Sequence, residues 1–420
     1  MGAYHIIGGN ILSGEIKVQG SKNSSLPILA ATVLNPYKST IYDVPDIKDI
    51  SIMIDILRFL GAKISRKANT IVIDSSNIKT WEVPEYLMRK MRSSIILMGA
   101  LLGRFGEVRV SYPGGCEIGP RPIDLHLKGL AQMGVNLQER HGFIFAEAKN
   151  LMGADIHFDF PSVGATENLM LAGVLAKGDT ILRNVAKEPE IVDLQNFLNK
   201  MGADVKGAGT DTIKIRGCNI RDLNVVEDYT VIPDRIAAGT YLVAAAITRG
   251  DVILKNVVME HMEPILAKLR ETGCKISCHD DFIQLSAQNP LYSLDSLRTL
   301  PYPGFPTDMQ APMMAFLTTV DGTSILTETV FENRFKHAEE LKRMGANITI
   351  NGNTAIIKGV KKLTGAKVEA NDLRAGAALI IAALAAEGKT CVEGSTHVER
   401  GYENIEGNLS RLGAKIVKID

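Results

Sequence analysis

Apolar and polar positions repeat along this chain with a regular spacing. A leucine stands four residues before a glycine at six places, and successive glycines are 68 to 73 residues apart. Each glycine is predicted to end a helix in the left-handed conformation, and a short β-branched stretch such as 347–350 or 415–419 then predicts a strand. The six glycines are Gly61, Gly134, Gly202, Gly273, Gly345 and Gly413. We therefore expect six repeats of about 70 residues.

Each repeat also contains a second helix that is apolar on nearly every face. A helix without a polar face is predicted to be buried, and each is followed by a turn residue and a strand, as at 178–184. The predicted buried helices span 26–34, 92–102, 166–176, 236–247, 309–317 and 373–386. One repeat is then a strand, a buried helix, a strand, an outer helix and a hairpin, which is an α/β class of fold.

The repeats divide naturally into three plus three. A chain of 420 residues is too long for one ordinary core, and the polar stretch 221–234 separates the third repeat from the fourth. The strand at 4–18 lacks a preceding helix, and we expect it to complete the last repeat. This predicts one domain of residues 22–229 and a discontinuous second domain of residues 1–21 plus 230–420.

Charge and composition exclude several classes of protein. Lysine plus arginine and aspartate plus glutamate both number 47, so the basic excess of nucleic-acid-binding proteins is missing. The longest apolar run, 375–386, is too short to cross a bilayer, and from the first residues we expect no signal peptide. The five cysteines suggest neither a disulfide framework nor a zinc site. These features favour a cytoplasmic protein without a membrane or nucleic-acid partner.

No nucleotide-binding or metalloprotease motif occurs. The chain lacks a Walker A pattern, a GxGxxG after a strand and an HExxH. His126 and His397 are isolated, and we expect each to form a local hydrogen bond rather than bind a metal.

The buried helices begin with polar or charged residues. A helix N-terminus attracts anions, so the cations Lys22, Arg92 and Arg374 are unfavourable there unless they serve a ligand. Ordinary capping is the alternative explanation, and it accounts well for Ser162 and Thr307, and also for Asp372. The three cations favour an anion-binding cleft.

Three arginines precede the outer helices at repeat-related positions. Arg121 and Arg400 stand thirteen residues before their capping glycines, and Arg334 stands eleven before its own. The set favours a polyanion held between the domains, although any one of them could be a solvated surface residue.

Cys116 lies in a loop of unusual composition. The run 112–122 holds three glycines and three prolines, which predicts an exposed loop, and Arg121 could lower the pKa of the thiol. The first interval between glycines is the longest, which suggests that this loop is a lid. An incidental loop thiol is the alternative.

Several motifs together resemble those of the UDP-N-acetylglucosamine enolpyruvyl transferases. The resemblance covers essentially the full length in one order, and the Gly-Gly-Cys loop and the Phe-Pro-Thr-Asp-Met-Gln segment are the most specific parts. The matching segments are 20–23, 113–126, 162–166, 304–310, 331–334 and 400–402. The related shikimate-pathway transferase has the fold but no such cysteine loop.

The resemblance implies an activity and a fold. The enolpyruvyl group of phosphoenolpyruvate would move to the 3-hydroxyl of UDP-N-acetylglucosamine with release of phosphate, the committed step of peptidoglycan synthesis. Two domains, each an inside-out α/β barrel, would close over both substrates. No metal or organic cofactor is implied.

The resemblance also implies site residues. Those for phosphoenolpyruvate would be Lys22, Asn23, Arg121 and Arg400. Those for the nucleotide sugar would be Arg92, Arg121, Pro122, Ile123, Asp124, Leu125, Ser162, Val163, Gly164, Asp308 and Val330. Arg334, Asp372 and Arg374 match further active-site positions.

One position departs from the family pattern. Many members carry a lysine two residues before Ser162, and this chain has Phe160. A phenylalanine cannot pair with a phosphate, so the diphosphate must depend more on the helix N-terminus, on Arg121 or on a lysine from elsewhere.

The chemistry assigns roles to the catalytic candidates. Cys116 can give a proton to the methylene carbon, Asp308 can accept one from the hydroxyl, and Lys22, Arg121 and Arg400 can stabilise the leaving phosphate. Cys116 could also form a covalent adduct with phosphoenolpyruvate or a phosphonate epoxide. Two alternatives are transfer to shikimate 3-phosphate, which needs no acidic thiol, and a non-catalytic scaffold that binds nucleotide sugars.

Overall fold

The computed structural model describes residues 2–114 and 123–419, and helices and strands alternate throughout. The strands of residues 1–232 are β1 (Ala3–Ile7), β2 (Ser13–Lys17), β3 (Lys38–Tyr42), β4 (Lys63–Lys67), β5 (Thr70–Asp74), β6 (Glu107–Ser111), β7 (Asn136–Arg140), β8 (Phe143–Glu147), β9 (Asp155–His157), β10 (Asp179–Arg183), β11 (Asp204–Lys206), β12 (Thr212–Arg216) and β13 (Val226–Thr230). The later strands are β14 (Asp251–Lys255), β15 (Lys275–Cys278), β16 (Phe282–Ser286), β17 (Leu297–Arg298), β18 (Thr323–Thr327), β19 (Asn347–Asn351), β20 (Thr354–Lys358), β21 (Lys367–Glu369), β22 (Lys389–Glu393) and β23 (Lys415–Ile419).

The α-helices alternate between buried and outer positions, with two short additional helices, α3 and α13. They are α1 (Lys22–Ala31), α2 (Lys48–Leu60), α3 (Glu85–Met88), α4 (Leu97–Phe105), α5 (Asp124–Gln132), α6 (Val163–Val174), α7 (Pro189–Lys200), α8 (Arg235–Ile247), α9 (Glu263–Glu271), α10 (Gln310–Leu317), α11 (His337–Arg343), α12 (Leu373–Ala385), α13 (Ser395–Val398) and α14 (Ile405–Arg411). Short 3₁₀ segments occupy Arg92–Ile96, Ile220–Asp222, Met259–His261 and Thr307–Met309.

Six small sheets share one plan. The strand that follows each buried helix pairs with one antiparallel neighbour, and in five of the sheets it pairs with a parallel edge strand on its other side. In repeat order the sheets run β13-β3-β5-β4, β6-β8-β7, β9-β10-β12-β11, β2-β14-β16-β15, β17-β18-β20-β19 and β21-β22-β1-β23. In the second repeat a single parallel bridge between Glu82 and Arg109 takes the place of the edge strand.

The inside-out α/β class expected from the sequence is confirmed. The sheets of the described residues are six separate sheets, and none of them closes on itself. The apolar helices lie inside: α8, α10 and α12 pack on one another, as do α4 and α6. The term inside-out therefore describes helices enclosed by sheets rather than a closed ring of strands.

All six predicted capping glycines adopt the left-handed conformation, with φ between 83° and 113°. Each follows the end of an outer helix by one or two residues, as Gly61 follows α2 and Gly413 follows α14. An L side chain is strained at such a φ, which explains why glycine recurs there.

The N-terminal segment is two strands, whereas the sequence suggested one strand over 4–18. β1 lies between β22 and β23 and so completes the sixth sheet, as expected. β2 pairs in parallel with β14 of the fourth repeat. The chain turns between them at Gly8 and Gly9, where Gly8 is too close to Ala386 to carry a side chain.

The described residues form two compact units. One contains the chain up to Gln19 and from Pro233 onward, and the other extends from Gly20 to Ile232. The edge strands beside the two crossings are exchanged: β13 precedes α8 yet pairs with β3, whereas β2 precedes α1 yet pairs with β14. Each sheet therefore stays within one unit, although the chain crosses twice.

Two of the buried helices begin later than the sequence predicted. The segments at Arg92–Ile96 and Thr307–Met309 are 3₁₀ turns, and α4 and α10 begin after them. Such turns are common at helix N-termini. Among the described residues, no helix is long and apolar enough to span a membrane.

Candidate active site

In the unit that contains α10 and α12, one carboxylate lies between two arginines. Asp308 Oδ1 accepts a hydrogen bond from Arg334 Nη2 at 2.7 Å, and Oδ2 accepts one from Arg374 Nη2 at 2.9 Å. The arginine side chains are 4 % and 5 % exposed, whereas that of Asp308 is 28 % exposed. The sequence placed these three residues in one site, and the structure brings them into direct contact.

The two arginines control the charge of Asp308. Burial alone would raise the pKa of Asp308, but the charges and hydrogen bonds of Arg374 and Arg334 outweigh it and hold that pKa well below its usual range. The possibility that Arg334 is a solvated surface residue is thereby ruled out. Asp308 is an ionised hydrogen-bond acceptor that solvent can reach.

Arg374 is held by a directional chain of hydrogen bonds. Arg374 Nη1 donates to the Tyr402 hydroxyl at 3.0 Å, and that oxygen lies 2.9 Å from Thr240 Oγ1. Because the Thr240 hydroxyl donates to the Ile236 carbonyl, it can only accept from Tyr402. The chain connects the start of α12 to the first turn of α8.

The starts of α10 and α12 therefore meet, and α8 begins nearby. Asp372 caps α12 by accepting from the N–H groups of Arg374 and Ala375, which agrees with the capping alternative for that residue. Thr307 does not cap: its hydroxyl donates to Glu328 and accepts from Arg334. Capping was thus the wrong expectation for Thr307.

Two further candidates of this unit lie in loops. Val330 is half-buried, and its N–H donates to Glu328 Oε1 at 2.8 Å. Arg400 follows α13, and the next residues are fixed by Gln19, which donates to the Gly401 carbonyl and accepts from the Glu403 N–H.

In the other unit, Lys22 is a buried cation with a buried partner. Its Nζ lies 2.7 Å from Asp49 Oδ2, and the two side chains are 11 % and 2 % exposed. Ser21 caps α1 by accepting from the Ser24 N–H. Asn23 follows Lys22 and is half-buried. The arrangement holds an ammonium at a helix N-terminus, where it would be unfavourable without Asp49.

Arg92 lies near a buried histidine. Burial, with the Arg92 charge, lowers the pKa of His126 to about 4, although Asp124 opposes the shift. His126 Nδ1 lies 2.9 Å from Asn168 Nδ2. Because the amide nitrogen donates, the imidazole is neutral with its proton on Nε2. The local hydrogen bond expected for His126 is confirmed.

The start of α6 is a capped helix N-terminus that is partly exposed. Ser162 caps it by accepting from the Ala165 N–H, and Val163 and Gly164 are half-buried beside it. Phe160 is 45 % exposed. Beside Phe160, Asp159 Oδ2 lies 2.7 Å from Lys128 Nζ.

Ile123 is buried, Asp124 begins α5 as an exposed residue, and Leu125 is half-buried. Cys116, Arg121 and Pro122 lie outside the described residues.

Sequence reasoning missed the residues that hold the candidates in place. Asp49 stands in the first turn of α2, where an acid is ordinary, so its role as the partner of Lys22 has no local signal. Glu328, Tyr402 and Gln19 act through contacts between distant segments. Of these three, Tyr402 alone lies within a segment that the sequence singled out, 400–402.

Comparison with known proteins identifies the family. A family model described as EPSP synthase (3-phosphoshikimate 1-carboxyvinyltransferase) matches residues 6–409. A curated protein of Caldanaerobacter subterraneus subsp. tengcongensis, named UDP-N-acetylglucosamine 1-carboxyvinyltransferase 2, is 54 % identical over 100 % of both chains. One from Carboxydothermus hydrogenoformans, named UDP-N-acetylglucosamine 1-carboxyvinyltransferase 1, is 52 % identical over 100 % of this chain and 99 % of its own.

Solved structures agree on the fold. The enolpyruvyl transferase NikO from Streptomyces tendae has a TM-score of 0.90 at 25 % identity, over 99 % of this chain and 98 % of its own. An EPSP synthase from Acinetobacter baumannii has a TM-score of 0.78 at 19 % identity, over 100 % of both chains. The chain belongs to the EPSP synthase (3-phosphoshikimate 1-carboxyvinyltransferase) family of enolpyruvyl transferases.

Proposed function

We propose that this chain transfers the enolpyruvyl group of phosphoenolpyruvate to the 3-hydroxyl of UDP-N-acetylglucosamine and releases phosphate. The observation that carries the proposal is the Asp308 carboxylate held between two buried arginines, in a chain more than 50 % identical over its full length to proteins named for this reaction. The reaction would be the committed step of peptidoglycan synthesis, in the cytoplasm.

The reaction is an addition followed by an elimination. The sugar hydroxyl attacks the substituted carbon of the enol double bond, its proton goes to Asp308, and the methylene carbon gains a proton from Cys116. The methyl group so formed then returns a proton to the Cys116 thiolate, the double bond re-forms, and phosphate leaves. The steps are the formation of one C–O bond, proton transfers and the departure of phosphate, so the proposed chemistry requires neither a metal nor an organic cofactor.

The anionic groups of both substrates need cations and free N–H groups. Lys22 and Asn23, with Arg121 and Arg400, would bind phosphoenolpyruvate. The start of α6, capped by Ser162, would bind the diphosphate through the N–H groups of Val163 and Gly164, because the Ser162 N–H donates to the Phe160 carbonyl. Arg92, residues 121–125 and Val330 would contact the rest of the nucleotide sugar. Arg334, Asp372 and Arg374 would support Asp308.

The charge state of Asp308 sets a condition on catalysis. A carboxylate whose pKa is held low by two arginines is a weak base. Substrate anions that compete for Arg334 or Arg374 would weaken those ion pairs and raise the pKa of Asp308. We expect Asp308 to become an effective proton acceptor only when both substrates are bound.

Phosphate release tests the proposal and its nearest alternative. The full-length protein would be incubated with phosphoenolpyruvate and either UDP-N-acetylglucosamine or shikimate 3-phosphate. Phosphate should be released when UDP-N-acetylglucosamine is the acceptor and not when shikimate 3-phosphate is. Release with shikimate 3-phosphate would assign the chain to the other branch of the family, and release with neither acceptor would favour a non-catalytic scaffold.

The role of Cys116 has its own test. A phosphonate epoxide that mimics phosphoenolpyruvate should alkylate Cys116, as read by mass spectrometry of the digested protein. Cys116→Asp keeps an acid and should keep measurable turnover, whereas Cys116→Ala should lose it. Equal loss in both variants would instead indicate that a covalent adduct is obligatory.

A further inference from the structure

Glu328, at the end of β18, is a buried carboxylate with four hydrogen bonds. The residue is 2 % exposed. Its Oε1 accepts from Thr299 Oγ1 at 2.7 Å and from the N–H groups of Val330 and Phe331 at 2.8 and 3.2 Å. Its Oε2 accepts from Thr307 Oγ1 at 2.7 Å. Three separate segments of the chain therefore meet at one side chain.

The hydrogen bond to Thr307 continues to Asp308. A hydroxyl has one proton, and Thr307 gives it to Glu328, so the same oxygen can only accept from Arg334 Nη1, which lies 2.8 Å away. The other nitrogen of that guanidinium, Nη2, donates to Asp308 Oδ1 at 2.7 Å. Arg334 is thus held by two carboxylates, one directly and one through a hydroxyl.

We propose that Glu328 is a positioning residue for the transfer reaction, acting through Thr307 and Arg334 on the orientation of Asp308. The inference rests on the proposed function, because it assigns a role within that reaction. Glu328 itself touches neither Asp308 nor Arg334 and is not a catalytic residue.

The energetics favour this role over simple sheet bracing. A buried carboxylate is costly unless it is fully hydrogen-bonded, and a threonine at 299 with two backbone N–H groups would already satisfy Oε1. The fourth bond is directed at the residue beside Asp308. Because both Nη1 and Nη2 of Arg334 have acceptors, the guanidinium is held in one orientation. That orientation limits where the Asp308 carboxylate can point.

The same carboxylate also sets the loop that carries Val330. Its bonds to the N–H groups of Val330 and Phe331 close a tight turn immediately after β18. Arg334 follows three residues later and is itself buried. One side chain thus fixes both the proposed nucleotide-sugar contact at Val330 and the orientation of Asp308.

Thr307 offers a selective test. Thr307→Val removes the hydroxyl at nearly constant volume, and Thr307→Ser retains it. If the hydrogen bonds that connect Glu328, Thr307 and Arg334 position Asp308, kcat should fall about 10- to 100-fold in Thr307→Val. The KM for phosphoenolpyruvate should change less, and Thr307→Ser should restore most of kcat. Glu328→Gln should also lower kcat, because an amide cannot accept on both sides.

Thr390→Val is a matched control in the same unit. Thr390 is fully buried in β22, and within the part of the chain that the structure describes its hydroxyl makes no hydrogen bond. The control also loses a threonine hydroxyl, but one that belongs to no chain of hydrogen bonds within the described residues, so its kcat should equal that of the wild type. Equal kcat in Thr307→Val and wild type, or equal losses in Thr307→Val and Thr307→Ser, would overturn the proposal.

A second measurement separates this inference from the proposed activity. In amide proton spectra of the full chain, Glu328→Gln should shift the Val330 and Phe331 signals, and the Arg334 guanidinium protons should exchange with solvent faster in Thr307→Val than in Thr307→Ser. These results require no turnover. An inactive wild type would reject the proposed function alone, whereas unchanged Arg334 exchange would reject the positioning role alone.

Discussion

Single charged residues in each compact unit are explained by the charge that each must balance. Lys22 and Arg374 are cations at helix N-termini, where the helix dipole opposes them, and both are nearly buried. Each has a carboxylate partner within 3 Å, Asp49 or Asp308. In both cases a carboxylate of the protein therefore balances a buried cation that the helix dipole opposes.

Breaking the Lys22–Asp49 pair should destabilise the protein strongly. Asp49→Asn leaves a buried ammonium without its carboxylate, and we expect a loss of about 3–5 kcal/mol in the free energy of unfolding, measured by urea denaturation. Asp155→Asn, which breaks the exposed pair with Arg183 in the same unit, serves as the control and should leave the midpoint unchanged. Equal stability of both variants would show that Lys22 is solvated.

Two buried histidines should make stability depend on pH. Burial lowers the pKa values of His126 and His337 to about 4, and each compact unit contains one of them. The unfolded chain, with a histidine pKa of about 6.5, binds more protons than the native state between pH ~6.5 and ~4. Stability is therefore complete above this window and falls as the pH drops through it.

Variants isolate that pH dependence. At pH 5 each buried histidine should account for about 2 kcal/mol of lost unfolding free energy, so His337→Gln should lose less stability between pH 7.5 and pH 5 than the wild type does. His126→Gln should behave alike. Above pH 7 the curves of all three proteins should run parallel, and a wild-type slope in the variants at pH 5 would contradict the assignment.

At the scale of elements, the sequence predicted those features that depend on neighbouring residues, namely the buried helices and the glycines that end the outer helices. The buried helices carry their own signal, since every face is apolar, and the glycines after the outer helices report a left-handed turn. The exchange of β2 and β13 left no local signal. Either strand could pair with β3 or β14, because parallel partners distant along the chain share only a generic β pattern. Asp49 and Glu328 were missed for the same reason.

Gln19 connects one chain crossing to the loop of Arg400. Its amide donates to the Gly401 carbonyl at 3.0 Å and accepts from the Glu403 N–H at 2.7 Å, and its own carbonyl accepts from the Asp234 N–H. Gln19→Ala removes both side-chain bonds and should cost about 1–3 kcal/mol. Hydrogen exchange over 398–404 should become faster, and kcat should fall.

Exposed Gln288 provides the control for that experiment. Gln288→Ala should leave both the exchange of 398–404 and kcat at wild-type values. Amide hydrogen exchange over 398–404 that stays as slow in Gln19→Ala as in the wild type would mean that other contacts hold the Arg400 loop.

At the scale of the whole molecule, the two units differ in continuity. The three sheets of residues 20–232 take every strand from that stretch, so it should fold when expressed alone. Residues 233–420 lack β1, a central strand, and β2, an edge strand. The domain boundaries remain our proposal, and they can be tested by removing or restoring the strands that each unit needs.

A circular permutation that joins residues 2–19 to the end of residues 233–420 should restore the discontinuous unit. Ala3 and Ile419 are direct partners in the antiparallel pair of β1 and β23, so a short hairpin loop can join them. The fragment 233–420 should aggregate or unfold without cooperativity, because the central position between β22 and β23 is empty. The permuted chain, in which residues 2–19 follow residue 420 through a Gly-rich loop, should unfold cooperatively on heating, as followed by circular dichroism. Cooperative unfolding of both proteins would mean that β1 and β2 add nothing to the unit, and a permuted chain that still fails to fold would place the dependence on residues 20–232.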